Sequence, residues 1–412
     1  MKYRLKIKLK QHTPLIHFQY EQAGATVRAT ELKPKLDKFL IKKSGEIKDK
    51  YLIGSEKSAL NYKVKIKNVV NQRILDIETD REDRNGRPLF DKRGKKRKDS
   101  FPAFFANMGS DSDIKKFSMC DCLTVEIFSF SDDLLNMIKK HFCDFISVTN
   151  FGTRQSKGFG SFYIHEGDDL FKLPEMKYHF YGEADSDTEH GEFKQLFESI
   201  DVFYRSIRSG INLKHKNNET FFYFKSLMFH YAKSKGIQWD KKTIKEKYFN
   251  REFYTQQEEY NDFKGGDILS YSSAKKYLMR DLLGLSSDES WFSYRSNITK
   301  TSKTIDRFKS PITFKPIRIG DKHNEEEKEF DFDIFIIPNA VDKKFLNQAF
   351  EILRNGRGNL LLHTAPDFNI NDFFEFIRNF NAEDHIDEEF ENHKYFEILV
   401  NAYNDIYNNL KK

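Results

Sequence analysis

The stretch Asn150-Phe-Gly-Thr-Arg-Gln-Ser-Lys-Gly-Phe-Gly-Ser-Phe-Tyr163 decides how the first half of the chain is read. Gly152, Gly158 and Gly160 open backbone conformations closed to other residues and let main-chain amides approach a ligand, while Arg154 and Lys157 add charge suited to phosphate. Three glycines alone equally describe a tight turn with two solvated cations. Position separates the two readings. Upstream, Ser131-Asp-Asp offers a cap and first-turn acids for a helix running to about Ile146, with Leu134, Leu135, Ile138, Phe142 and Phe145 on its apolar face. Downstream, Phe159 to Ile164 reads as a strand.

Working outward, Tyr3, Leu5, Ile7 and Leu9 alternate with Arg4, Lys6, Lys8 and Lys10, the period of a strand with one buried face and a row of cations on the other. Thr30 to Leu40 reads as a helix capped by Thr30, with Pro34 in its first turn and Leu32, Leu36, Phe39 and Leu40 as its stripe. Strands are predicted at Tyr62 to Val70 and Leu123 to Phe128, and a long mobile loop at Asp80 to Ser100. Strand, helix, strands, helix, glycine loop, strand is the order of a ferredoxin-like split unit, the architecture of RNA-recognition modules.

The second half is less regular. Helices are predicted at Phe193 to Ile207, Thr220 to Lys235, Lys276 to Leu283 and Lys344 to Arg354, with strands at Ile312 to Ile319 and Phe332 to Ile337. We therefore expect an α+β protein with domains at 1–168 and 193–412 joined by an acidic connection, 169–192. A chain of 412 residues supports two cores, and 15% aromatic residues supply bulk that an apolar fraction of 38% otherwise lacks.

The formal charge of +6 is modest, but its distribution is not even. Basic residues dominate the first third, including Lys92 to Lys98, while acids collect at Glu183 to Glu198, Glu325 to Asp333 and the last forty residues. That asymmetry fits one surface for a polyanion and another for basic neighbours or solvent. No leader-like or membrane-spanning run is read, and three cysteines fit a reducing, cytoplasmic setting.

Several groups carry candidate chemistry. His12 and His17 flank the end of the first strand, where a histidine beside RNA can act as general acid or base; packing is the competing role. Cys120, Cys122, His141 and Cys143 have zinc-ligand chemistry but one-residue spacings, so buried thiols are favoured and no metal or other cofactor is expected. Arg205 and Arg208 share one helix face just before Gly210; Arg295, Arg307 and Lys309 are further candidates for phosphate contact. Tyr20, Phe151, Phe159 and Phe162 can stack on bases, with core packing favoured in a chain so rich in Phe.

Phe151 to Ser161 resembles the glycine-rich signature of the RAMP proteins, the repeat-associated RNA-binding subunits of CRISPR systems. Thr13-Pro-Leu-Ile-His17 and Gly24 to Leu36 are similar to that family's opening strand, loop and helix start. Tyr204 to Asn212, Arg280 to Leu285 and Asp306 to Phe314 resemble segments of its larger subunits, most of all subunit one of the Cmr (type III-B) effector complex. Pro34 departs from the family's usual glycine, and Asp80 to Ser100 has no counterpart.

The resemblance implies two ferredoxin-like (RRM-like) domains with a helical insertion, acting in antiviral defence without catalysis. The implied partners are guide RNA, target RNA and other effector subunits, with no membrane. The RNA-binding residues would be Arg28, Lys33, Lys35, Gly152, Arg154, Lys157, Gly158, Gly160, Arg205, Arg208, Arg307 and Lys309. Gly265-Gly-Asp-Ile268 is superficially similar to a cyclase signature but lacks its second aspartate. The alternatives are a metal-independent endoribonuclease of the same superfold using His12 or His17, which processes guide RNA, and a RAMP scaffold reused for protein contacts.

Overall fold

The computed structural model describes residues 3–16, 25–44, 49–54, 58–75, 78–80, 88–96, 98–100, 117–184, 186, 188–214, 220–249, 275–319 and 332–408. The chain is α+β and divides into two compact units, one of Met1–Asp201 with Thr313–Ile337, the other of Val202–Ile312 with Pro338–Lys412. Among the described residues no helix is long and apolar enough to cross a membrane.

In the first unit the alternating stretches become strands β1 (Arg4–Gln11), β3 (Lys63–Val70), β6 (Cys122–Phe128) and β7 (Phe162–Ile164). They pair antiparallel in the order β7-β1-β6-β3. The register aligns Leu5 with Ile127 and Val64, and Ile7 with Val125 and Ile66, so one face is a continuous apolar surface. Helices α1 (Ala29–Ser44) and α2 (Asp132–Ser147) pack on it, contributing Leu32, Leu36 and Leu40 and Leu134, Ile138 and Phe142 to one buried cluster. Ser131 caps α2 as expected, its hydroxyl accepting from the Leu134 amide at 3.3 Å. In α1 the first acceptor is the Arg28 carbonyl, so Thr30 lies inside the helix instead of capping it.

Strands β2 (Leu15–Ile16), β4 (Arg73–Leu75) and β5 (Phe117–Met119) form a small sheet in the order β2-β5-β4. A third sheet, β8-β14-β13, joins His179–Gly182 (β8), Phe332–Pro338 (β14) and Ile312–Arg318 (β13). Strand β8 falls within the stretch read as a connection. Helix α3 (Glu189–Arg208) follows it and packs Phe193 near Phe332 and stacks Phe197 on Phe159 at 3.9 Å. The stretch expected as a mobile loop carries described structure too, since Glu78–Asp80 pairs with Lys98–Ser100 and the Asp91 carboxylate gathers the Arg93 and Lys95 amides into a turn. Residues 81–87 and 97 of that stretch lie outside the described residues.

The second unit holds the hairpin β9-β10 (Ile211–Lys214, Thr220–Phe224), helices α4 (Leu227–Ser234) and α5 (Asp240–Tyr248), and a four-stranded antiparallel sheet. That sheet is sequential, β11 (Asp288–Trp291), β12 (Ser296–Thr301), β15 (Ala349–Arg354) and β16 (Arg357–His363). Helices α6 (Ile370–Arg378) and α7 (Lys394–Asn408) complete an aromatic core with Tyr231, Phe373 and Tyr403.

Three helix expectations are corrected here. Thr220 to Lys235 splits into strand and helix because buried Phe222 and Phe224 alternate with half-buried Phe221 and Tyr223 and the Ser226 hydroxyl then starts α4 by accepting from the Phe229 amide. Lys344 to Arg354 is a short 3-10 turn followed by β15, fixed as a strand by the two-residue turn Asn355-Gly356, both at positive φ. Lys276 to Leu283 is helical only as a 3-10 turn at Arg280–Leu283, held by buried charges.

Candidate nucleic-acid interface

The glycine-rich loop is wired into its own unit at almost every residue. Gly160 N–H donates to the Pro14 carbonyl and Thr153 N–H to that of Ile16, while Phe151 N–H closes the loop on Gly160 O. The Thr13 hydroxyl donates to Gly158 O at 2.6 Å and accepts from the Ser161 amide at 2.9 Å. Gly152 N–H reaches the Glu31 carboxylate at 2.9 Å. The glycines are demanded by this packing: all three have positive φ, and a Cβ would lie 2.5 Å from Ile16 O at Gly152 and 2.9 Å from Pro316 Cγ at Gly158. Most of the loop's amides are thereby committed inside the protein, which narrows a phosphate cradle to its side chains.

Those side chains are arranged from α1. Lys35 Nζ donates to Glu31, to Asn150 O and to Gln155 Oε1, all within 2.8 Å, and lies over the Phe151 ring. Lys33 pairs with Asp37 at 2.6 Å, donates to Leu60 O and lies over Tyr62. Arg28 sits at the start of α1, half-buried. Arg154, in the left-handed region at φ 57°, and Lys157 sit at the half-buried tip. Burial alone lowers the Arg154 guanidinium's pKa, so an arriving anion would offset a desolvated charge.

Beneath the loop lies a cation the sequence reading passed over. Lys315 on β13 is fully buried and donates to Thr149 O and Phe162 O at 2.7 Å each; burial, then the charge of Lys35, pushes its pKa well down. Glu31, Asn150, Gln155 and Thr13, which wire the loop, were also passed over. Nothing in the local sequence marks them, since each stands beside other polar residues. His12 is 2% exposed, its Nδ1 accepts from the Arg318 amide at 2.9 Å, and burial pushes its pKa well below 6.5. His17 and Tyr20 lie outside the described residues, as do residues 265–268. Phe151, Phe159 and Phe162 are all buried.

In the second unit the three remaining quoted segments meet around Gly284. Tyr204 donates to Leu283 O at 2.6 Å, Arg208 to Gly284 O at 2.8 Å, and Leu285 N–H to Phe308 O at 3.0 Å. Phe308 stacks on Phe345 at 3.8 Å, leaving Arg307 and Lys309 exposed on either side of it. Arg208 also faces the Asp281 carboxylate at 3.5 Å; Arg205 is half-buried on the same helix, and Arg295 is exposed at positive φ.

The cysteines make other bonds. Cys120 Sγ lies 3.2 Å from Gln11 Oε1, Cys143 Sγ 3.2 Å from the Tyr163 hydroxyl, and Cys122 is buried in β6. His141 faces Asp144 at 3.6 Å. Among the described residues no three His, Cys, Asp or Glu side chains come together as a metal site.

A family model described as the Cmr1 N-terminal domain matches residues 2–211, and one described as the Cmr1 C-terminal domain matches residues 223–411. No curated protein matches the chain. Among solved structures, similarity is found to a chain of the cryo-EM structure of the type III-B Cmr-beta bound to cognate target RNA, at 12% identity and a TM-score of 0.25. The likeness covers 40% of this chain and 59% of that one, so this chain spans under two thirds of its length. With both family models matched along nearly its whole length, the chain belongs to the Cmr1 family, that of subunit one of the type III-B CRISPR effector complexes.

Proposed function

We propose that this protein is a noncatalytic, cytoplasmic RNA-binding subunit of a type III-B effector complex. In this reading it contacts guide RNA, target RNA or both through the tip of the glycine-rich loop and the basic side chains near it. The observation that carries the reading is convergence. Segments far apart in sequence, at 13–16, 28–35 and 150–161, are bonded to one another and hold Arg154 and Lys157 at a half-buried tip. Arg205, Arg208, Arg307 and Lys309 would serve the same role in the second unit.

The strand order supports a ferredoxin-like first module: the fourth core strand β7 lies beside the first, β1, and the third, β6, separates the first from the second, β3. A second, incomplete copy is supported by β8, α3, β13 and β14, whose sheet again puts the third strand between first and second. That copy would start at His179, inside the 169–192 connection, with residues 211–311 as its insertion and the domain limits shifted to match.

The test is RNA binding by the full-length protein, read by fluorescence anisotropy over a salt series. Replacing Arg154 and Lys157 together by Ala should weaken binding about tenfold and make the slope of log K against log salt shallower by about 1.4, or 0.7 per lost phosphate contact. Unchanged affinity sinks the loop's role. RNA cleavage that disappears in His12→Ala would replace the binding subunit by a nuclease.

A further inference from the structure

The sheet face turned away from α1 and α2 carries a second basic surface, one that the glycine-rich loop does not include. The register that buries Leu5, Ile7 and Leu9 puts Arg4, Lys6, Lys8 and Lys10 on the outer face of β1. Across the intervening β6, the same register puts Lys63, Lys65 and Lys67 on the outer face of the edge strand β3. Lys6 lies opposite Glu126, which lies opposite Lys65; Lys8, Thr124 and Lys67 form the next row. The face thus holds seven cations against the carboxylate of Glu126, a surplus equal to the formal +6 of the entire chain.

Such a surface is costly to the fold, since cations recur at every second residue along β1 and β3 and the two rows are only two strand spacings, about 10 Å, apart. Internal neutralisation is partial. Glu126 reaches Lys67 at 3.1 Å and Arg4 at 3.8 Å, and Glu166 takes Lys10 at 2.9 Å. Lys6, Lys8, Lys63 and Lys65 carry no side-chain ion pair among the described residues, and Lys6, Lys63 and Lys65 are exposed.

The rows end on aromatic rings. Arg4 and Lys63 flank Phe128, whose ring meets Phe130 edge-on at 4.9 Å, and Phe130 in turn meets Tyr3 at 5.9 Å. Phe130 is 81% exposed, the most exposed large apolar side chain among the described residues. Two cation rows fit a phosphodiester backbone, and an exposed ring at their end fits a base; every nucleotide brings a phosphate and a stacking face together, whereas the Asp and Glu side chains of an acidic peptide would use the rows and leave the ring without a stacking partner.

We propose that this outer sheet face is a second single-stranded RNA contact, with Lys6, Lys8, Lys63 and Lys65 on the phosphates and Phe130 stacking a base. It rests on the reading of the protein as an RNA-binding subunit, and the test separates the two. Full-length wild type is titrated with labelled oligouridylate over a salt series, beside Lys6→Ala/Lys65→Ala, Phe130→Ala and the Arg154→Ala/Lys157→Ala loop variant. The lysine pair should weaken binding about tenfold and make the salt slope shallower by about 1.4. Phe130→Ala should weaken it about fivefold with the slope unchanged. Both substitutions are exposed, so melting temperatures should match wild type. If both sheet variants bind like wild type while the loop variant does not, the sheet contact is wrong and the RNA-binding reading stands. Wild type that binds no oligouridylate overturns both. Binding of a polyglutamate peptide as tight as that of RNA, lost in the lysine pair, overturns RNA as the occupant in favour of an acidic protein.

Discussion

Gly160 illustrates how one residue type serves two readings. Its backbone sits at φ 65°, and a Cβ would fall far inside contact distance of the Phe151 carbonyl oxygen, with no flexible group able to yield. Gly160→Ala is therefore expected to destabilise the first unit by about 4 kcal/mol or more, or to yield insoluble protein, as strain and backbone collision combine. Gly54 has an equally unusual φ of 85° but open space around it, so Gly54→Ala should cost only about 1–2 kcal/mol for the left-handed conformation. Denaturant melts of the two variants compare them directly, and equal stability would show that collision at Gly160 is relieved elsewhere. For RNA binding the consequence is practical. The loop's chemistry is better probed at Arg154 and Lys157 than at its glycines, whose replacement confounds binding with folding.

Elements were legible wherever burial follows a simple period. Strand β1, with Leu5, Ile7 and Leu9 inward, and α2, with its Ser131 cap, emerge with little change because local pattern and tertiary burial agree. The loop's position between α2 and β7 was legible for the same reason. Its partners were not, because Glu31 and Asn150 matter through contacts more than a hundred residues distant. The failures cluster in the second unit. Lys344 to Arg354 has helical spacing of Phe345 and Ile352, and the strand was decided by the Asn355-Gly356 turn, a hairpin signal present in the sequence. The 3-10 turn at Arg280–Leu283 answers to a buried network that no periodicity encodes. Arg280 binds Asp240 on α5 at 2.9 Å and Glu289 on β11 at 3.2 Å, and Lys300 on β12 reaches Asp281 and Glu289 at 2.7 Å each. Lys300 and Asp281 are wholly shielded from solvent. Lys300→Met removes one partner and leaves buried carboxylates uncompensated, so a loss of about 3–5 kcal/mol is expected in a denaturant melt. A loss under about 1 kcal/mol would mean that Arg280 and Arg208 alone suffice for the three acids.

At the scale of the whole molecule, each unit holds a histidine neutral, His12 buried in the first and His230 half-buried in the second, and this gives each its own response to acid. In the first unit His12 is held neutral by burial and then by Lys10, Lys315 and Arg318, with its pKa well below 6.5. In the second, burial and then the nearby His385 push His230 down to about 4, its ring 4.8 Å from that of His385 and 5.3 Å from Phe380. Below pH 6.5 the unfolded chain takes up a proton on each ring that the folded state refuses, so stability falls with falling pH until the folded values are reached. The acids work lower. Burial opposes the charge of Glu289, but Arg280 and Lys300 prevail and hold its carboxyl well below 4.5, so its contribution persists above 4.5 and disappears only as pH drops through the folded value. Hydrogen exchange followed by mass spectrometry between pH 6.5 and 4.5, corrected for intrinsic rates, should show protection falling in both units. His12→Gln keeps an acceptor for the Arg318 amide but cannot be protonated, and should flatten the fall in β1 and β7 alone. His230→Phe should flatten it in α4 and α6 alone, at some cost in packing against His385 and Phe380. If either substitution flattened the response of both units, acid would act through a shared group instead of two separate ones.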